Sequence, residues 1–246
     1  MRPPSSPIAF RTALLAMALV ACGCQQAPVE TRAPVETRAT AVVPRSALPS
    51  PPADGSRFRI DPAASDLRVI VYRGGPLAQF GHNHVLVAGD LRGDVQLAPV
   101  PARSTFSLEF SPAAFIIDPV EARLEEGPDF EAQPSAEAIE GTRANLLGPR
   151  VLDAERFPEI TMRSAGIQGT LPHPIVTVRI GLHGVERDVS FPIDLEHDGD
   201  RLVAKGTLLL STPDFGIPSF TVMGGGLKVQ EEVKIRFLLV ATRDRM

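Results

Sequence analysis

The segment Phe80-Gly81-His82-Asn83-His84-Val85 is where this chain gathers side chains able to do chemistry. On an extended backbone, side chains two residues apart point the same way, so His82 and His84 share a face. Two imidazoles so placed can hold zinc or copper. A metal needs a third and usually a fourth ligand. Asp90 and His183 are candidates by type, and neither stands at a diagnostic spacing. The same pair has two other uses. One is structural, with one ring bonded to a loop and the other in solvent. The other is contact with the polar head of a ligand, by donating hydrogen bonds to a carbonyl or phosphate. Other chemistry is poorly supplied. No Gly-x-Ser-x-Gly elbow accompanies the serines. Gly224-Gly225-Gly226 falls in a strand connection with no helix behind it, which argues against a phosphate loop. The sequence therefore assigns no catalytic residue, no cofactor and no metal. His82 and His84 stand as head-group candidates, with metal binding or metal-dependent chemistry as the alternative.

The elements around that segment read as strands. Apolar residues alternate with polar ones at period two, the mark of a strand with one buried face. Leu67, Val69 and Val71 share a face, as do Phe106, Leu108 and Phe110. Val176, Val178, Ile180 and Leu182 follow the same rule, and so do Leu202, Ala204, Gly206, Leu208 and Leu210, and Val233, Ile235, Phe237 and Leu239. With further strands near 85–97 and 114–118, about eight strands result, linked by short turns such as His183-Gly184 and His197-Asp198-Gly199-Asp200. Short links favour antiparallel pairing. Apolar faces must be covered, by closure or by a second sheet. The fold class expected is all-β with minor α, an antiparallel lipocalin-like barrel. Its interior is wide enough for side chains or one small ligand. Phe106, Leu108, Phe110, Val178, Ile180, Leu208, Ile235 and Phe237 are the candidates to line an apolar tunnel. Residues 134–147 break the pattern and predict one helix, capped by Ser135 and ended by Gly148-Pro149. It either gates a barrel mouth or packs outside.

The N-terminus reads as an address. Arg2 and Arg11 precede a short apolar run, Ala13 to Ala21, with no acid before Cys22. That run is shorter than the roughly 20 residues a spanning helix needs, and its pattern is that of an export signal. Leu19-Val20-Ala21-Cys22 resembles a bacterial lipobox, which implies cleavage before Cys22 and its lipidation. Cys24 is the competing anchor. Attached acyl chains contribute about 0.8 kcal/mol per buried CH₂, enough to hold a soluble domain on a membrane. Residues 22–56 read as a Pro-rich tether containing a tandem Ala-Pro-Val-Glu-Thr-Arg hexad. As a coil its ends lie on the order of 30 Å apart. The expected place is the envelope of a bacterium, on the periplasmic side, with the outer membrane preferred to the inner because Gly23, not Asp, follows the cysteine. Residues 57–246 form the globular domain. Losing residues 1–21 removes two arginines and no acid, so formal charge falls from −4 to −6. An acidic chain with no Trp and one Tyr is a poor partner for nucleic acid.

Several segments are similar to one family. Val151-Leu-Asp-Ala-Glu-Arg-Phe-Pro-Glu-Ile-Thr-Met-Arg-Ser164 resembles the "LDAxxYPxIxF" segment of the YceI-like family. Leu182 to Val189 resembles its "LTxHGVTxPV" turn, Ser211 to Ile217 its "RSDFGI" segment, and Val229 to Leu239 its closing strand. Phe58-Arg-Ile-Asp-Pro62 followed by Ser65 resembles its "YxIDxxHS" opening. The chain departs from the pattern at Pro213 and at Ala63-Ala64. The resemblance implies a lipocalin-like barrel around an apolar tunnel, a long isoprenoid or other lipid-like ligand, and no shared catalytic residue. The function expected is a non-catalytic, membrane-tethered carrier or store. The alternatives are a metal-binding envelope protein or enzyme using His82 and His84, and a ligand-free scaffold or stress protein.

Overall fold

The structure, a computed structural model, describes residues 47–244. Cys22, Cys24, the export segment 1–21 and the tether up to residue 46 lie outside the described residues. The first half of the domain carries β1 (Ser56–Ile60), β2 (Asp66–Val71), β3 (Arg73–Gly74), β4 (His84–Val87), β5 (Arg92–Leu97), β6 (Thr105–Phe110) and β7 (Ile116–Ile117). Helices α1 (Val120–Glu125) and α2 (Ala136–Leu147) come next. The second half carries β8 (Ile160–Gln168), β9 (Ile175–Leu182), β10 (Val185–Pro192), β11 (Asp194–Asp198), β12 (Arg201–Ser211), β13 (Thr221–Val222), β14 (Leu227–Val229) and β15 (Glu232–Arg243). The architecture is antiparallel β with little helix.

Among the described residues, fifteen strand segments replace the eight or so expected, because long strands are interrupted by bends. β1 and β2 both pair with β15, Ile60 opposite Ala241 and Asp66 opposite Leu238. The bend between them is held by Ser65, whose hydroxyl donates to the Asp61 carbonyl at 2.7 Å and accepts the Val240 N–H at 3.0 Å. β5 then pairs with β1 while β4 pairs with β2. β6 pairs with β5 while β7 pairs with β4. On the other side β6 is followed by β8, β9 and β10. Ile193 alone separates β10, which lies on β9, from β11, which lies on β12. β12 in turn pairs along β15 from Arg201–Thr242 to Ser211–Glu232. A separate small sheet joins β13, β14 and β3.

Turn chemistry sets two of the hairpins. Leu182 faces Val185 across a two-residue loop in which His183 and Gly184 have φ of 52° and 73°. Two left-handed residues match the twist of the flanking strands. A Cβ at Gly184 would stand 2.5 Å from the Phe157 ring, so the position excludes side chains twice over. The later turn is shorter than expected. His197 and Asp198 belong to β11, and Asp198 faces Arg201 across Gly199-Asp200 alone.

Two apolar clusters result. The larger joins the inward residues of the main sheet, among them Phe58, Leu108, Phe110, Val178, Ile180, Leu208 and Ile235. The smaller lies on the opposite face of β2 and β4, where Ile70 and Val85 are fully buried beneath Ala122 of α1 and Phe130. Ion pairs clamp α1 there: Arg68 meets Glu125 at 2.8 Å and Arg236 meets Glu126 at 2.7 Å. The Glu125-Glu126 pair is thus a docking element, with Glu126 almost wholly covered.

Candidate functional site

Inward residues of the strands leave a cavity of about 540 Å³. Its wall is overwhelmingly aliphatic and aromatic. Phe106, Leu108 and Phe110 of β6, Val178 and Ile180 of β9, Leu208 of β12, and Ile235 and Phe237 of β15 all line it. The alternation puts them there, since residues two apart along a strand share a face. Two local irregularities shape the wall. A bulge between Ser164 and Gly166 interrupts the β8–β9 register, and the Ser164 hydroxyl accepts the Phe106 N–H at 3.1 Å. Gly206 faces Phe237 across the β12–β15 ladder, and a Cβ there would come within 2.6 Å of the ring. The glycine is the space into which the Phe237 ring folds back.

Helix α2 takes part in this wall. The Ser135 hydroxyl accepts the Ala138 N–H at 3.2 Å, and the Gly148 N–H closes on the Ala144 carbonyl at 3.1 Å, so both expected ends are present. Ala138, Thr142, Asn145 and Leu146 line the cavity. Ile139 and Leu146 pack on the main core. The helix therefore covers the cavity and is not a purely external ornament.

His82 and His84 also line the cavity, with ring centroids 6.3 Å apart. Asn83 between them points away, as alternation requires. Its amide is buried, accepting the Arg73 N–H at 3.0 Å and donating to the Asp129 carbonyl at 3.2 Å. His84 Nδ1 lies 2.7 Å from Asp118 Oδ2. Asp118 is sealed from solvent, and its other oxygen accepts the Val85 N–H at 2.9 Å and a guanidinium N–H of Arg123. Arg123 is buried too and donates to the carbonyls of Asn83 and Ala132, each at 2.7 Å. Burial on its own pushes the Asp118 carboxyl up. The hydrogen bond and charge of His84, the Val85 N–H and Arg123 outweigh it and hold the group below its usual 3.8. His82 is lowered from 6.5, first by burial and then by the charges of His84 and Arg123.

The histidines thus have a partner that the sequence did not point to. Asp118 stands 34 residues from His84 and follows the bridge of β7 onto β4. Asp90 and His183 go elsewhere. Asp90 pairs with Arg92 at 2.7 Å and accepts the Ser111 N–H at 2.9 Å, and His183 stacks edge-on against Phe157 at 5.0 Å. Among the described residues, no group of three or more His, Cys, Asp or Glu side chains is arranged to hold a metal.

An antiparallel sheet wrapped on an apolar cavity with one polar edge is the form of a small-molecule binding protein. A YceI-like domain model matches residues 58–241, and the chain belongs to that family. Among solved structures it is similar to BcnA of Burkholderia cenocepacia, with 19% identity, a TM-score of 0.55, and coverage of 74% of this chain and 99% of that one. It is also similar to the YceI protein of Campylobacter jejuni, with 12% identity, a TM-score of 0.48, and coverage of 65% and 85%. No curated protein matches.

Proposed function

We propose that this protein is an envelope lipoprotein that carries or stores a long apolar molecule, an isoprenoid or another lipid-like chain, inside a closed eight-stranded β-barrel, without catalysing a reaction on it. The cavity carries this reading. Its wall is almost entirely hydrocarbon, and the eight side chains singled out above converge on it. Transfer of apolar surface from water contributes about 2.5 kcal/mol for each ~100 Å² buried. A long chain can therefore be held without a charged anchor.

The pairings support closure. β1–β2, β4–β5, β6–β7 and β10–β11 each act as one bent strand. With β8, β9, β12 and β15 they make a circuit in which every member has two neighbours. Closure of that kind leaves no open edge. Membership of the YceI-like family agrees with a binding role. The anchor at Cys22 and the periplasmic placement rest on the N-terminal sequence.

The test is a search for co-purifying ligand. The purified protein is extracted with organic solvent and analysed by mass spectrometry, beside an Ile180→Trp variant. The wild type is expected to release an apolar chain that the cavity-filling variant lacks. Absence of any prenyl or acyl compound from the wild type, together with failure to take one up from solution, ends this reading.

A further inference from the structure

We propose that the rim formed by the Leu77–Gly81 turn and the β13–β14 hairpin is a membrane-contact surface, which docks on a lipid bilayer carrying anionic headgroups. The inference goes beyond the carrier reading and stands without it. The two segments are packed on each other. The Leu77 N–H donates to the Gly226 carbonyl at 2.8 Å, and a Cβ at Gly81 would come within 2.8 Å of the Leu227 side chain. Large apolar side chains on them nonetheless face water: Phe80 is 63% exposed, Met223 64% and Val222 38%. Met223, Gly224 and Gly225 run at φ of 52°, 64° and 89°. That region is uncommon for a residue with a side chain, so the turn holds Met223 outward against its own backbone preference. Phe80, Val222 and Leu227 also line the cavity, which makes the patch continuous with the cavity wall.

Charge selects the partner. The chain is acidic overall, yet residues 67–89 and 215–230 contain no Asp or Glu. Arg73 and Lys228 are exposed there. Arg150 joins them, lying over the Phe220 ring at 4.6 Å and donating to the Thr221 carbonyl at 3.2 Å. Oily side chains beside cations suit a bilayer surface. The apolar groups enter the boundary between headgroups and acyl chains, and Lys and Arg are drawn to anionic lipid. A second copy docked by the same patch would set these cations against each other, which disfavours a dimer. A further apolar edge of the cavity lies at Leu171, with Ile175 exposed close by. Its loop is tied to acidic β11, where His173 meets Asp194 at 2.7 Å and the Leu195 N–H donates to the Pro172 carbonyl at 2.8 Å. Anionic lipid repels that edge. On the lipoprotein reading, the 35 residues from Cys22 to Ser56 span at most about 120 Å, so the anchor leaves the domain room to turn the cationic rim to the bilayer. A guest then passes between bilayer and cavity without crossing open water.

The experiment uses the exported chain, residues 22–246, carrying Cys22→Ser and Cys24→Ser so that no acyl chain attaches. Its fold is checked by circular dichroism. Binding is read by sedimentation with vesicles of phosphatidylcholine, alone or mixed with phosphatidylglycerol. The protein is expected to bind the anionic vesicles about tenfold more tightly than the neutral ones, a gain that high salt removes. Phe80→Ser/Met223→Asn, in which asparagine suits the left-handed turn, is expected to weaken binding about tenfold. Lys228→Glu is expected to weaken it about fivefold on anionic vesicles alone, and keeps the test open should the double variant unfold. Ile175→Ser, at the acidic edge, is expected to leave it unchanged. Absence of binding to either vesicle overturns the inference. So does binding that survives in Phe80→Ser/Met223→Asn or is abolished by Ile175→Ser. A dimer seen by analytical ultracentrifugation and broken by Phe80→Ser/Met223→Asn overturns it in favour of a second copy. Uptake of an apolar fluorophore is measured separately, without vesicles. Vesicle binding without uptake ends the carrier reading and leaves the docking surface standing, and uptake without vesicle binding does the reverse.

Discussion

At the scale of single residues, Asp118 carries more than its neighbours. One side chain fixes a histidine, accepts a strand N–H and neutralises a buried arginine. Removing one member of a buried pair strands the other charge, a loss of about 3–5 kcal/mol. Asp118→Ala is therefore expected to shift the urea midpoint sharply downward with little change in slope. Acid acts on the same group. Its folded pKa lies below 3.8, so its stabilising share is complete above that value. That share is lost as pH falls below 3.8 through the depressed folded value. His82 works at higher pH. Its folded pKa is below 6.5, so the unfolded chain takes up the proton first, and stability declines once pH drops below 6.5. Melting temperature recorded across the acid range is expected to fall in two stages, the shallower, higher-pH stage disappearing in His82→Gln. The histidines were plain in the sequence. Asp118 and Arg123 were not, since their role depends on chain segments meeting in space and leaves no local spacing to read.

At the scale of elements, alternation located the strands and their inward faces. The eight wall residues follow from period two alone, since each strand must cover one oily side. What alternation does not encode is where a strand bends. The breaks at 61–65, 88–91 and 111–115 cut strands that the pattern reads as whole or leaves blank, and the extra segments come from there. β3, β13 and β14 are two or three residues long, too short for any period to register. Helix α2 was visible because Ser135 and Gly148 bracket it. Ser135→Ala is expected to cost about 1 kcal/mol of helix stability, read as faster amide exchange across residues 136–147 and faster escape of a bound chain. Gly206→Val places a branched side chain where the Phe237 ring lies. The ring is then driven into the cavity, and uptake of a long-chain probe is expected to fall at least tenfold with secondary structure retained. That outcome is checked by fluorophore displacement beside a circular dichroism spectrum.

At the scale of the whole molecule, the sequence reads as three unlike regions, of which the structure describes residues 47–244. On the proposed lipoprotein reading, Cys22→Ser is expected to move the protein from the membrane fraction to the soluble one, assayed by fractionation and immunoblotting. The domain is legible as a fold. The guest is not legible from strands alone, because a cavity lined by Val, Leu and Phe resembles a filled core in sequence. One arrangement described above has a directional consequence. The strand runs β1–β2 and β4–β5 lie side by side so that Ser56 faces Leu97 at one limit, while at the other Val71 faces His84. The start of β1 therefore stands at the opposite end of that ladder from the imidazole of His84, the full length of the bent pair away.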